Sequence, residues 1–98
     1  MKSGLPVHSL YVGSRDGNAF PDADRQAVIE ATSSVFDCFT VMDADGYFQG
    51  RSVASLVIKV ATEKGALVEE LGRRLGDFLG QEAVGLESDG RYQSITMG

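Results

Sequence analysis

Apolar and polar residues alternate along His8-Ser9-Leu10-Tyr11-Val12-Gly13. In an extended chain this puts Leu10 and Val12 on one side and Ser9 and Tyr11 on the other, which predicts a first strand. A loop rich in turn formers runs from Ser14 to Pro21. Asp22 or Asp24 can then cap a helix that reaches about Phe36, with Val28, Ile29, Thr32, Val35 and Phe36 along its apolar side. Residues 37–61 read as one hairpin around which the other elements can be placed. Residues 38–42 alternate as a strand does, Asp43-Ala44-Asp45-Gly46 has the composition of a turn, and residues 47–50 begin the return. Residues 54–61 form the most β-prone run in the chain. A second, longer helix follows, because Leu67, Leu71, Leu75 and Leu79 recur every four residues beside Val68 and Phe78. Gly80 suits its C-terminal cap. Residues 83–87 give a last strand and Ser88-Asp89-Gly90 a turn, after which residues 91–98 are a tail or an extra edge strand. Residues 1–7, which include Pro6, are a loose lead-in.

The order strand, helix, strand, strand, helix, strand predicts a ferredoxin-like α+β sandwich over a single domain, residues 1–98. This βαββαβ arrangement is a four-stranded antiparallel sheet with two helices on one face. Strand parity gives the helices one apolar face to cover. The opposite face carries Tyr11, Thr40, Met42 and Val57 among smaller polar residues, neither apolar enough for a core nor charged enough for free solvation. It is expected to serve as a subunit interface or a ligand platform.

Composition narrows the function classes. Ninety-eight residues sustain one modest core, so association into a homo-oligomer is a natural supplement to stability. A net charge of −5 and a pI near 4.6 argue against nucleic acid, whose phosphates require a basic stripe. Cys38 is alone, which excludes an intramolecular disulfide and a cysteine zinc site, and it reads as a small buried hydrophobe. No apolar run is long enough to span a bilayer and the first residues lack a secretion signal, so a cytoplasmic location is expected.

The candidate chemistry is sparse. Each interior helical Gly costs about 1 kcal/mol relative to Ala. The spacing of Gly72, Gly76 and Gly80 therefore predicts close contact, here with the first helix near Ala27 and Ala31. The run Asp43 to Gly46 starts like a calcium loop but lacks its later oxygens. Residues 13–18 match no phosphate-binding or dinucleotide fingerprint, yet Gly backbone and the Arg15 guanidinium suit a small anion. Tyr47, Gln49 and Arg51, with Ser52, mix aromatic surface with donors that orient a ligand. His8 is the only histidine, and no nucleophile with an orienting carboxylate is evident beside it. No metal site or cofactor is expected.

Ser9-Leu10-Tyr11-Val12-Gly13, then Phe39-Thr40 through Gly46-Tyr47 to Gly50, then Gly80-Gln81-Glu82-Ala83-Val84 resembles short uncharacterised α+β proteins of bacteria and bacteriophages. The layout is also similar to ferredoxin-like trimers of the nitrogen-regulatory PII and CutA type, which bind small ligands between subunits. Their phosphate-binding motifs are not found in this sequence. The resemblance implies a phage or bacterial source and no activity. The expectation is a non-enzymatic homo-oligomeric binding module holding a small anionic or nucleotide-like ligand near Arg15, Tyr47, Gln49 and Arg51. The alternatives are an acidic inhibitor module acting on a host protein and, last, a small enzyme built on His8 with Asp16 or Glu87.

Overall fold

The computed structural model describes residues 4–98. Seven elements follow one another: β1 (Val7–Gly13), α1 (Asp22–Ser33), β2 (Thr40–Phe48), β3 (Arg51–Ala61), α2 (Gly65–Phe78), β4 (Ala83–Ser88) and β5 (Arg91–Thr96). All pairings are antiparallel, in the order β2-β3-β1-β4-β5. The sheet thus has five strands, not the expected four. Residues 91–96 pair with β4 because Asp89 and Gly90 take φ of 53° and 73°, the two left-handed positions that a two-residue hairpin turn needs.

Leu10, Val12, Leu56, Ile58, Val60, Val84, Leu86 and Ile95 project from one side of the sheet. They pack with Val28 of α1 and Val68, Leu71 and Leu75 of α2 in one core. Fully burying such a side chain contributes about 1.5–3 kcal/mol, so this shared face dominates the stability of the fold. Of the stripe that predicted α2, Val68, Leu71, Leu75 and Leu79 are buried and Leu67 is partly buried, but Phe78 is 42% exposed. The helix ends at Gly80, whose φ is 67°, with Gln81 N–H donating to Gly76 C=O at 2.9 Å and Gly80 N–H to Asp77 C=O at 3.3 Å. That pair of bonds satisfies the last carbonyls while the chain reverses.

Three further expectations are corrected. Asp43 to Gly46 is not a turn but the middle of β2, paired residue for residue with β3; the turn is Gln49-Gly50, at φ of 51° and 79°. β2 is consequently an edge strand, and β1 is the central one. Gly72 and Gly76 meet the sheet rather than α1: a Cβ on Gly72 would lie 2.9 Å from Leu10 Cδ2, and one on Gly76 2.8 Å from Val84 Cγ2. Cys38 is exposed, because β2 begins only at Thr40. No helix among the described residues is long and apolar enough to cross a membrane.

Candidate functional site

The loop after β1 is held rigidly. Ser14 N–H donates to Ala54 C=O at 2.9 Å, Ala54 N–H donates to Gly17 C=O at 3.0 Å, and the Ser14 hydroxyl donates to Asn18 C=O at 2.6 Å. Gln81 fastens the loop to the end of α2, its amide donating to Ser14 C=O and Leu79 C=O at 3.2 Å each. This anchored loop presents Phe20 and the start of α1 toward the helix-side edge of β2.

Between them lies a cleft of about 610 Å³, lined by Phe20, Asp22 and Arg25 on one side and Asp43, Asp45 and Ser55 on the other. Asp43 and Asp45 reach it together because they are two apart in an extended strand. Arg25 donates to Asp43 at 3.4 Å, an exposed pair, so three carboxylates face one guanidinium. Such a cleft carries a net negative potential and attracts cations.

The four predicted ligand residues do not converge. Arg15 is engaged elsewhere, donating to Asp24 at 2.9 Å and stacking 4.5 Å from the Phe78 ring centroid. Gln49 and Arg51 share a smaller cleft of about 230 Å³ with Asp16, Gly17, Asn18 and Phe48. There the Asn18 backbone N–H, 2.9 Å from the carboxylate, stabilises its ionised form and holds the Asp16 pKa below its ordinary value. Tyr47 stands 75% exposed on the hairpin outside that cleft.

The predicted interface residues do share one face. Met42, Val57 and Tyr11 are successive register partners across β2, β3 and β1, and Thr40 lies in the neighbouring row opposite Lys59. Val57 is only 8% exposed although it points away from the helices, so this side of the sheet is partly covered by its own side chains. Tyr92 of β5 supplies part of that cover. Its ring lies over Gly85, where a Cβ would come 2.8 Å from Cε1, and sits 6.1 Å from the Tyr11 ring. The Tyr11 hydroxyl donates to Glu87 at 2.7 Å, and this bond, together with burial and the carboxylate charge, raises the Tyr11 pKa above 10.0.

No family model matches the sequence, and no curated protein matches it. A solved structure does share the fold. It is a phage SAM lyase in the apo state, 18% identical, superposing with a TM-score of 0.63 over 98% of this chain and 94% of that one. At that identity the likeness shows the α+β fold. The sequence reading missed Phe20, Asp22, Asp43 and Asp45; the signal was the i, i+2 spacing of the last two, masked by their turn-like composition. Among the described residues no three His, Cys, Asp or Glu side chains group as a metal site.

Proposed function

We propose that this protein is a homo-oligomeric module, ferredoxin-like with one strand added, that binds a positively charged nucleoside of the SAM (S-adenosylmethionine) type in the cleft between Phe20 and β2. The observation that carries this reading is the charge of the cleft, with Asp22, Asp43 and Asp45 against Arg25 alone. An anion finds little there, and Arg15, the expected anion ligand, is already paired with Asp24. A sulfonium and an ammonium each suit a carboxylate-lined wall, and the Phe20 ring adds a face on which a cation or a base can rest. The phage SAM lyase supports the ligand class, since its fold covers nearly the whole chain. The apolar members of the open sheet face, Tyr11, Met42 and the 65% exposed Tyr92, support self-association.

Titration calorimetry and thermal shift with SAM, S-adenosylhomocysteine and ATP test this reading. Ligand at a hundred times its Kd stabilises by about 2.7 kcal/mol. The expected order is SAM, then its thioether analogue, which keeps the ammonium but lacks the sulfonium, then no response to ATP. Equal responses to SAM and its analogue would remove the carboxylates' role in holding the sulfonium. Because a sulfonium carries its own neutral leaving group, its cleavage asks for orientation more than for a nucleophile. The same samples, followed by chromatography for loss of SAM, therefore separate a lyase from a binder.

A second reading rests on the hairpin tip, where Tyr47 and Phe48 are 75% and 68% exposed. In that reading the tip docks on a host protein, as an acidic inhibitor module would.

A further inference from the structure

His8, the only histidine, is 6% exposed at the start of β1. Its Nε2 lies 2.9 Å from the Thr62 carbonyl oxygen and its Nδ1 lies 2.7 Å from Ser88 Oγ. A carbonyl only accepts. In the neutral ring the proton therefore sits on Nε2, and Nδ1 is left to accept from the Ser88 hydroxyl. We propose that Ser88 and His8 form a nucleophile and general base, oriented by the Thr62 carbonyl, that accepts small uncharged acyl esters.

The surroundings fit that chemistry. His8 and Ser88 open onto a pocket of about 370 Å³ that Glu69, Asp89 and Arg91 also line. Ser88 is the last residue of β4 and the register partner of Arg91 across the turn. Arg91 takes part in none of the ion pairs among the described residues, so its guanidinium is available to the oxygen of a tetrahedral intermediate. Glu69 is paired with Arg73 at 3.1 Å, which leaves Asp89 to balance Arg91, and a pocket so balanced favours an uncharged substrate over an anion. Gly65 at the start of α2 leaves room for the ring, since a Cβ there would lie 3.3 Å from His8 Cε1, and the bonds from both ring nitrogens fix its orientation. Nucleophile, base and orienting acceptor are thus aligned before any substrate arrives.

In the step itself, Ser88 Oγ bonds to the acyl carbon and its proton passes to Nδ1. The bond from that carbon to the alcohol oxygen breaks, and the departing oxygen takes the proton from Nδ1. Water then repeats the sequence on the acyl-serine, releasing the acid and restoring the hydroxyl. Throughout, Nε2 keeps its proton on Thr62, which also stabilises the imidazolium that forms transiently.

The test is intact-protein mass spectrometry after treatment with a fluorophosphonate, with release of p-nitrophenol from p-nitrophenyl acetate measured in parallel. One adduct per chain, mapped to Ser88 and lost in Ser88→Ala, is expected. The absence of an adduct on folded protein, or an equal yield in Ser88→Ala, would overturn the proposal. A second variant tests the base independently of the serine. In a Cys38→Ser background, Ser88→Cys places a thiol against the same base, where its pKa falls and alkylation quickens. Its reaction with iodoacetamide should be about tenfold faster than that of the exposed Cys38 in the wild type, since a lowered thiol pKa enriches the thiolate. A rate equal to or below that of Cys38 would sink the assignment. Neither measurement involves the cleft beside Phe20, so the two proposals stand or fall separately.

Discussion

Replacing Gly76 by alanine tests how α2 is seated on the sheet. In an exposed helix the change would stabilise by about 1 kcal/mol through helix propensity. Here the new methyl would lie 2.8 Å from Val84 Cγ2 and 2.6 Å from Met97 Sδ. Carbon pairs prefer about 3.5–4.0 Å, so the helix must lift by most of an ångström or Val84 must leave its rotamer. Met97 can move aside, being a flexible side chain near the end of the chain; Val84, β-branched and fully buried in β4, cannot. Overpacking of this kind costs about 1–3 kcal/mol. At the middle of that range, about 2 kcal/mol, subtracting the propensity gain leaves a net loss of about 1 kcal/mol. For a chain of this length that lowers Tm by about 4–8 °C in a calorimetric or circular-dichroism melt. Adding Met97→Ala should recover part of the loss and Val84→Ala should relieve the clash while opening a cavity of its own. A Tm equal to or above the wild type in Gly76→Ala alone would mean that α2 does not rest on β4 through this glycine.

Other perturbations address the turn, the open face and the cleft. Gln49 sits at φ 51° before Gly50, a conformation that asparagine tolerates better; Gln49→Asn should raise Tm, the gain being at most about 1 kcal/mol, whereas Gly50→Val should lower it. Tyr11, whose pKa is raised by its bond to Glu87, binds its proton more tightly folded than unfolded. Its contribution is therefore complete below pH 10 and fades as pH rises through the folded value, so urea melts between pH 9 and pH 11.5 should decline in the wild type more steeply than in Tyr11→Phe. Asp43→Asn with Asp45→Asn should abolish the preference for SAM over S-adenosylhomocysteine and leave Tm within a few degrees, since Asp43 and Asp45 are exposed. Calorimetry with both ligands checks this.

The elements most legible from sequence are those whose apolar face is buried against another element. Leu10 and Val12 in β1 and the leucines of α2 alternate or recur because the core requires it; Leu10, Val12, Leu71 and Leu75 are buried and Leu67 packs against the core's margin. β2 was harder to read because an exposed edge strand imposes no such demand. Asp43, Asp45 and Gly46 satisfy the composition of a turn, and only pairing with β3 makes them a strand. The spacing of Gly72 and Gly76 announces a close approach without naming the partner, which is the sheet. The His8–Ser88 pair is hidden for a different reason. These residues are far apart in sequence and meet only because β4 pairs with β1 in a register that sets His8 opposite Ser88.

Element lengths explain why the cleft exists and how to separate it from the hairpin tip. At about 1.5 Å per residue, the helices of 12 and 14 residues reach about 18 and 21 Å. β3, with 11 residues, reaches about 36 Å at about 3.3 Å each. The helix layer therefore stops well short of the β2–β3 turn, and the molecule measures 45 Å along its longest axis against 27 and 25 Å across. Removing Tyr47 and Phe48 with their register partners Ser52 and Arg51 shortens this overhang by two residues on each arm. Because side chains alternate with a period of two, the remaining residues keep their faces, and Asp43 and Asp45 still line the cleft. The shortened chain should melt within a few degrees of the wild type and respond to SAM as before, while losing any partner that grips the aromatic tip. Loss of the SAM response with the fold intact would shift the ligand site outward, to the smaller cleft of Gln49 and Arg51. A persistent protein partner would show that the tip is not what it holds.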